Sequence, residues 1–176
     1  MTTTPRFNKI HVFNDDRGTF FPLDISDTIW VQSNVSISKK WTFRGLHHQL
    51  GETSQAKLVN VIKGEILDFV VDLKRGNFEE VYFFRMKPGD QLYVPKGCAH
   101  GFLALQEDTI IQYLVDNYYS PRTEISFDWK SVPTIKELIL SEVGNESNLY
   151  LSSKDSAGEK IERKWAENMD LKIQKK

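Results

Sequence analysis

The sequence predicts a mainly β protein, a sandwich or barrel of short strands followed by a short C-terminal helical segment. Three observations carry this. Aromatic and β-branched residues recur in short runs separated by turn residues. No stretch before residue 130 has a helical period. Two histidine-bearing β-type segments, Phe43–Gln49 and Gly89–Phe102, lie either side of a Gly-containing middle, which suits a barrel with polar groups gathered inside.

The strands follow in order. Ile10–Phe13 leads into a turn at Asn14–Gly18. Thr28–Val31, Ser33–Ile37 and Trp41–Leu46 come next. Ala56–Ile62 and Ile66–Leu73 meet at Lys63-Gly64-Glu65, a hairpin turn, and the second run ends at Lys74-Arg75-Gly76-Asn77. Glu79–Met86 is stopped by Lys87-Pro88-Gly89-Asp90. Gln91–Val94, Gly101–Leu105 and Thr109–Val115 complete the series. Pro133–Ser141 reads as a short helix or a loop, and Gly144–Ser147 as a polar turn. Residues 1–157 are expected to form one domain. Residues 158–176 are highly charged and read as a surface helix or tail, a solvated face rather than a binding site.

With 176 residues the chain can bury a real core. Its 40% hydrophobic and 27% charged residues are ordinary for a soluble protein. A net charge of −1 gives no electrostatic case for nucleic acid or an anionic membrane as partner. The one cysteine, Cys98, excludes an intrachain disulfide and fits a reducing compartment. No apolar run reaches the ~18 residues of a membrane span, and Met1–Pro5 has no signal-like apolar core. A cytoplasmic protein is expected.

The chemistry lies with the four histidines. Gly89, Pro95, Gly97 and His100 stand in the spacing G-x5-P-x-G-x2-H. Pro95 and Gly97 suit a tight turn that aims the following strand's histidine inward. The spacing resembles the second motif of the cupin superfamily, whose usual final Asn is Ala104 here. That resemblance implies a jelly-roll barrel. Metal-binding cupins carry His-x-His in their first motif, whereas this chain has adjacent His47 and His48. Strand neighbours point to opposite faces, so one of the two faces inward. Two inward histidines without a carboxylate at ligand spacing are too few for a stable metal site, so no metal is expected. On the residues alone, His100 could instead be a satisfied histidine at a structural turn. Lys57 could be a solvated charge, Tyr113 a core aromatic and Asp155 a helix cap. Cys98 reads as a small buried hydrophobe and His11 as a surface residue without a role.

Several motifs occur together in one order. Phe43-Arg44-Gly45-Leu46-His47-His48-Gln49 resembles the Arg-Gly-Leu-His-Tyr-Gln signature of the dTDP-4-dehydrorhamnose 3,5-epimerases, which are metal-free cupins. Gln55-Ala56-Lys57-Leu58-Val59, Gly64-Glu65 and Val71-Asp72-Leu73-Lys74 are similar to segments of that family. So are Val94–Phe102, Tyr113 with Asp116–Pro121, and Leu151-Ser152-Ser153-Lys154-Asp155. Asp16-Arg17-Gly18-x-Phe20 and Gln32-x-Asn34-x-Ser36-x-Ser38 resemble its opening segments. The match runs from about residue 15 to residue 157.

The resemblance implies an isomerase acting on a nucleotide-linked 4-keto-6-deoxyhexose. It inverts C3, with C5 left open, through an enolate and without a cofactor. The ketone acidifies the neighbouring C–H bonds, so a base, an acid on the opposite face and a cation beside the enolate suffice. By resemblance, His47 is the base, Asp155 its carboxylate partner, Tyr113 the acid and Lys57 the cation. Arg44 would hold phosphate oxygens in a bidentate fork. Arg17, Gln32, Asn34, Gln49, His100 and Lys154 match substrate-binding positions. In the family the N-terminal segment often crosses to a second subunit, so a homodimer is implied.

Arg44 and His47 have opposite parity on a strand, and a bulge near Gly45 would let both face inward. The chain departs from the family pattern at Pro22, where Glu is common, and at His48, where Tyr is usual. A second Trp-Pro element after Trp129 is absent, and Val143–Asn148 reads as an insertion. These changes concern the nucleotide and sugar ends of the site. The competing readings are a metal-dependent cupin enzyme, a related ketoisomerase and a non-catalytic sugar-nucleotide-binding cupin.

Overall fold

The computed structural model describes residues 3–25, 28–74, 80–163 and 165. Among the described residues, twelve strands and two α-helices follow one another. The strands are β1 (Arg6–Lys9), β2 (Phe13–Asp15), β3 (Gly18–Phe20), β4 (Gln32–Ser38), β5 (Phe43–Gln49) and β6 (Lys57–Lys63). They continue with β7 (Ile66–Asp72), β8 (Glu80–Met86), β9 (Asp90–Val94), β10 (Cys98–Ala104), β11 (Thr109–Val115) and β12 (Glu124–Ser126). The helices are α1 (Pro133–Val143) and α2 (Ser153–Ser156). One five-stranded sheet runs β1-β9-β6-β11-β4, a second runs β12-β5-β10-β7-β8, and β2 and β3 form a separate hairpin. This is the jelly-roll arrangement expected from the sequence.

Burial explains the strand sequences. On β7, Ile66 and Val70 enter the core between the sheets, while Leu67, Phe69 and Val71 enter a second core. On β10, Cys98 and Phe102 face the first core, and Ala99 and Leu103 the second. The second core is closed by Phe127, Trp129 and the Ile135 and Ile139 face of α1. The second sheet is therefore covered on both sides, and its central strands are apolar at consecutive positions. Asp68 shares the parity of Ile66 and Val70, so its carboxylate points between the sheets. β4 reverses the usual pattern. Gln32, Asn34 and Ser36 are half-buried while Val35 and Ile37 are exposed.

The differences from expectation have physical causes. β1 was missed because Arg6–Lys9 is polar; it is held by pairing with β9, from Arg6↔Tyr93 to Lys9↔Asp90. Thr28–Val31 forms no strand, and the expected Trp41–Leu46 strand is shifted to Phe43–Gln49. β12 is only three residues long and owes its pairing to β5. The segment 133–143 is a helix, with Pro133 in its first turn and Gly144 ending it at φ 76°. The domain boundary expected after residue 157 is not where packing ends. Phe127 bridges Glu159, and Ile161 is buried in the second core. The expected surface helix therefore does not begin at Glu159, whose backbone is pinned to Ser126 and Asp128. Residues 166–176 of that tail, the Arg75–Asn77 turn and the Glu79 start of β8 lie outside the described residues.

Candidate active site

A cavity of about 570 Å³ opens between the two sheets. That volume suits a small-molecule site. The second sheet contributes Arg44 and His47 from β5 and His100 from β10. Facing them, the first sheet contributes Gln32 and Asn34 from β4, Lys57 from β6 and Tyr113 from β11. Glu124 from β12 and Lys154 and Asp155 from α2 complete the wall.

The strand β5 brings Arg44 and His47 to one face by a bulge. Its ladder with β10 runs Phe102↔Arg44 and then His100↔His47, so β5 carries one extra residue. Gly45 sits there at φ 133°, and the Gly45–Leu46 peptide is cis. A Cβ on Gly45 would lie 2.5 Å from the Gly101 Cα, so the two glycines let the strands approach.

His47 Nε2 lies 2.6 Å from Asp155 Oδ1. Burial alone would raise the Asp155 carboxyl, but hydrogen bonds from His47, Ser152 and the Gly45 backbone N–H outweigh it and hold it below its usual range. Ser152 caps α2 and its hydroxyl donates to Asp155 Oδ2 at 2.7 Å. An ionised Asp155 accepts the Nε2–H, which leaves the lone pair of a neutral imidazole on Nδ1. Nδ1 is 3.9 Å from Glu124 Oε1, and Glu124 also binds Lys154 and the Tyr119 hydroxyl. Burial opposes ionisation of Glu124, yet Lys154, Tyr119 and His47 together depress its pKa.

The opposite wall has the complementary groups. Burial pushes the Lys57 ammonium down to about 8, against the pull of Glu124 and Asp68. Burial raises the Tyr113 phenol, which keeps its proton at neutral pH. His100 Nε2 lies 2.9 and 3.0 Å from the two oxygens of Asp68, a buried pair in which desolvation raises the carboxyl. At the mouth, Arg44 Nε donates to Ser38 Oγ at 3.2 Å and Gln32 donates to Asn34 at 2.6 Å. Among the described residues no group of three or more His, Cys, Asp or Glu has a metal-holding arrangement.

Two residues expected at the site stand elsewhere. Gln49 is buried off this cavity, and backbone groups use its amide: Nε2 donates to Thr53 and Tyr118, and Oε1 accepts from Ser120. It braces the loop after β11 and is not free for a ligand. Arg17 is fully exposed at the tip of the β2–β3 hairpin, paired with Asp15, and does not reach the cavity of its own chain. Pro22 and the 143–148 stretch do not line it either. Sequence reasoning missed Asp68, Glu124, Tyr119 and Ser152. A carboxylate inside the apolar run Ile66–Val71 was a readable signal for Asp68. Glu124, on a strand formed only by tertiary pairing, had none.

The family model described as dTDP-4-dehydrorhamnose 3,5-epimerase matches residues 6–163. The chain belongs to the dTDP-4-dehydrorhamnose 3,5-epimerase family. The Salmonella typhimurium dTDP-4-dehydrorhamnose 3,5-epimerase is 36% identical over 159 residues, 83% of this chain and 84% of that one. The structure of the Bacillus anthracis dTDP-4-dehydrorhamnose 3,5-epimerase with TDP and PPi bound superposes with a TM-score of 0.79 at 33% identity, covering 90% and 95% of the two chains. The Legionella pneumophila dTDP-6-deoxy-D-glucose-3,5-epimerase in complex with dTDP-4-keto-L-rhamnose gives 0.78 at 28% identity, covering 91% and 90%. Membership makes the chain an isomerase of the epimerase class with the family's jelly-roll fold. No described helix is long and apolar enough to cross a membrane.

Proposed function

We propose that this protein epimerises a dTDP-linked 4-keto-6-deoxyhexose at C3, and at C5 where the bound sugar presents it, with the residues of this one cavity as its machinery. The observation that carries the reading is the His47–Asp155 pair on one wall, with Lys57 and a protonated Tyr113 on the other. His47 Nδ1 takes the proton from the carbon beside the ketone. Lys57 holds the developing enolate oxygen, and Tyr113 returns a proton to the opposite face. Asp155 fixes the ring and balances the imidazolium. Arg44 and Lys154 supply cations for the diphosphate, with Gln32 and Asn34 beside them. His100, oriented by Asp68, lines the same cavity and presents its free ring nitrogen to the sugar. Residues in these roles need no cofactor.

A homodimer belongs to the same reading. Arg17, out of reach of its own cavity, sits on a hairpin whose Phe13 and Phe20 are 51% and 66% exposed. Val35 and Ile37 point outward from β4, the edge strand at the other end of the first sheet from β1, and form a second exposed apolar surface. Both features suit a hairpin donated to a partner's site. Light scattering should return about twice the 20.4 kDa of the chain; a monomeric mass would count against the dimer. The reducing compartment suggested by the lone Cys98 favours the cytoplasm.

The test is proton NMR of dTDP-4-keto-6-deoxyglucose in deuterated water. Deuterium entry at C3 and C5 that His47→Ala abolishes is the expected result, and entry at C3 alone would define a 3-epimerase. Failure of the wild-type protein to exchange either carbon would overturn the proposed substrate.

A further inference from the structure

His48 is a buried titratable group that the reaction above does not use, and it stands where the family signature has Tyr. It is 4% exposed. Its Nδ1 lies 3.1 Å from the Cys98 carbonyl oxygen. A carbonyl only accepts, so Nδ1 carries the hydrogen and Nε2 the lone pair. Nε2 is buried without a hydrogen-bond partner. An acceptor left in that condition is costly unless something reaches it.

His48 and Lys57 line one small cavity of about 10 Å³, which adjoins the main site through His47, Gln55 and Glu124. That is room for about one water molecule, and the walls are polar enough to hold it. The charges around the ring come from several elements. Lys57 lies on β6, Lys74 with its partner Asp72 at the end of β7, Glu124 on β12, and the Cys98 thiol on β10. Burial and the two lysines keep the ring neutral, with its pKa pushed down to about 4.

We infer that His48 is a positioning residue for Lys57: Nε2, fixed as an acceptor by the Cys98 carbonyl, holds one N–H of the Lys57 ammonium through a single bridging water. The inference rests on the proposal that Lys57 is the cation beside the enolate. The bridge leaves the other hydrogens of the ammonium for the main cavity. It also favours the charged lysine against burial, which lowers its pKa to about 8. The linkage has a definite sign. Removing the acceptor destabilises the ammonium, so Lys57 loses its proton at lower pH and activity falls earlier on the alkaline side.

The experiment is the pH dependence of kcat and KM for wild type, His48→Phe, His48→Gln and Lys57→Met. Glutamine keeps an acceptor near the Nε2 position; phenylalanine fills the space without one. Wild type should show an alkaline limb near the Lys57 value of about 8. His48→Phe should move that limb down by about 0.5–1 pH unit, the worth of one neutral hydrogen bond, and lower kcat above it about 3- to 10-fold with KM unchanged. His48→Gln should restore the wild-type limb. An unmoved limb in folded His48→Phe, or equal loss in both His48 variants, would overturn the inference. If Lys57→Met keeps full turnover, the enolate role fails and the inference falls with it. If Lys57→Met is inactive while His48→Phe keeps its limb, only the His48 role falls. A crystal structure gives a reading that does not depend on variants. A water bonded to both His48 Nε2 and Lys57 Nζ is expected, and its absence from well-defined density would contradict the bridge.

Discussion

A histidine becomes a directed base when one of its nitrogens is committed. The 2.6 Å contact between His47 and Asp155 commits Nε2, and three donors to Asp155 keep it ionised. Asp155→Asn removes the charge and presents an amide that can donate as well as accept. The proposed base then loses its tautomer and the partner of its imidazolium. We expect kcat to fall about 10²- to 10⁴-fold with the far-UV spectrum unchanged; steady-state kinetics within a few-fold of wild type would contradict the pairing. At this scale the sequence is unevenly legible. His47, Lys57, Tyr113 and Asp155 lay inside ordered motifs, and the cavity gathers all four. Gln49 lay in the same motif, but its amide braces backbone. A motif marks a position as constrained; it does not say whether a ligand or a neighbouring loop constrains it.

Strand parity was the difficulty that the sequence posed without answering, and β5 answers it. One extra residue opposite β10 turns both Arg44 and His47 to the cavity. Gly45 makes this possible, at φ 133° and with the His100 carbonyl oxygen 2.9 Å from where a Cβ would stand. The close atoms are backbone and cannot swing aside. Gly45→Ala should therefore cost about 2–4 kcal/mol in urea denaturation and depress activity by displacing His47. An alanine variant as stable as wild type would show that the bulge tolerates a side chain. Long apolar strands such as β7 were legible because burial on both faces writes itself into consecutive residues. β1 and β12 were not, since their pairing is imposed by partners rather than by their own pattern.

The whole molecule places the proposed proton acceptor and the proposed proton donor on different sheets. His47 belongs to the sheet built on β5 and β10, and Tyr113 to the sheet built on β6 and β11. Inversion at carbon requires access to both faces of a planar enolate, and two facing sheets provide it. The jelly roll itself was legible from turn spacing and the Gly89–His100 segment. The backbone pairing of Glu159 and the burial of Ile161 in the second core were not, because the surrounding sequence is charged. In the proposed reaction, abstraction and return of the proton are divided between these two walls. The most direct test follows Tyr113→Phe in deuterated water by NMR, reading label and configuration separately. Under this account His47 still removes and replaces the proton on its own face. Deuterium should enter the recovered substrate while inversion falls about 100-fold or more. Inversion at close to the wild-type rate would contradict the division, and so would loss of exchange together with inversion.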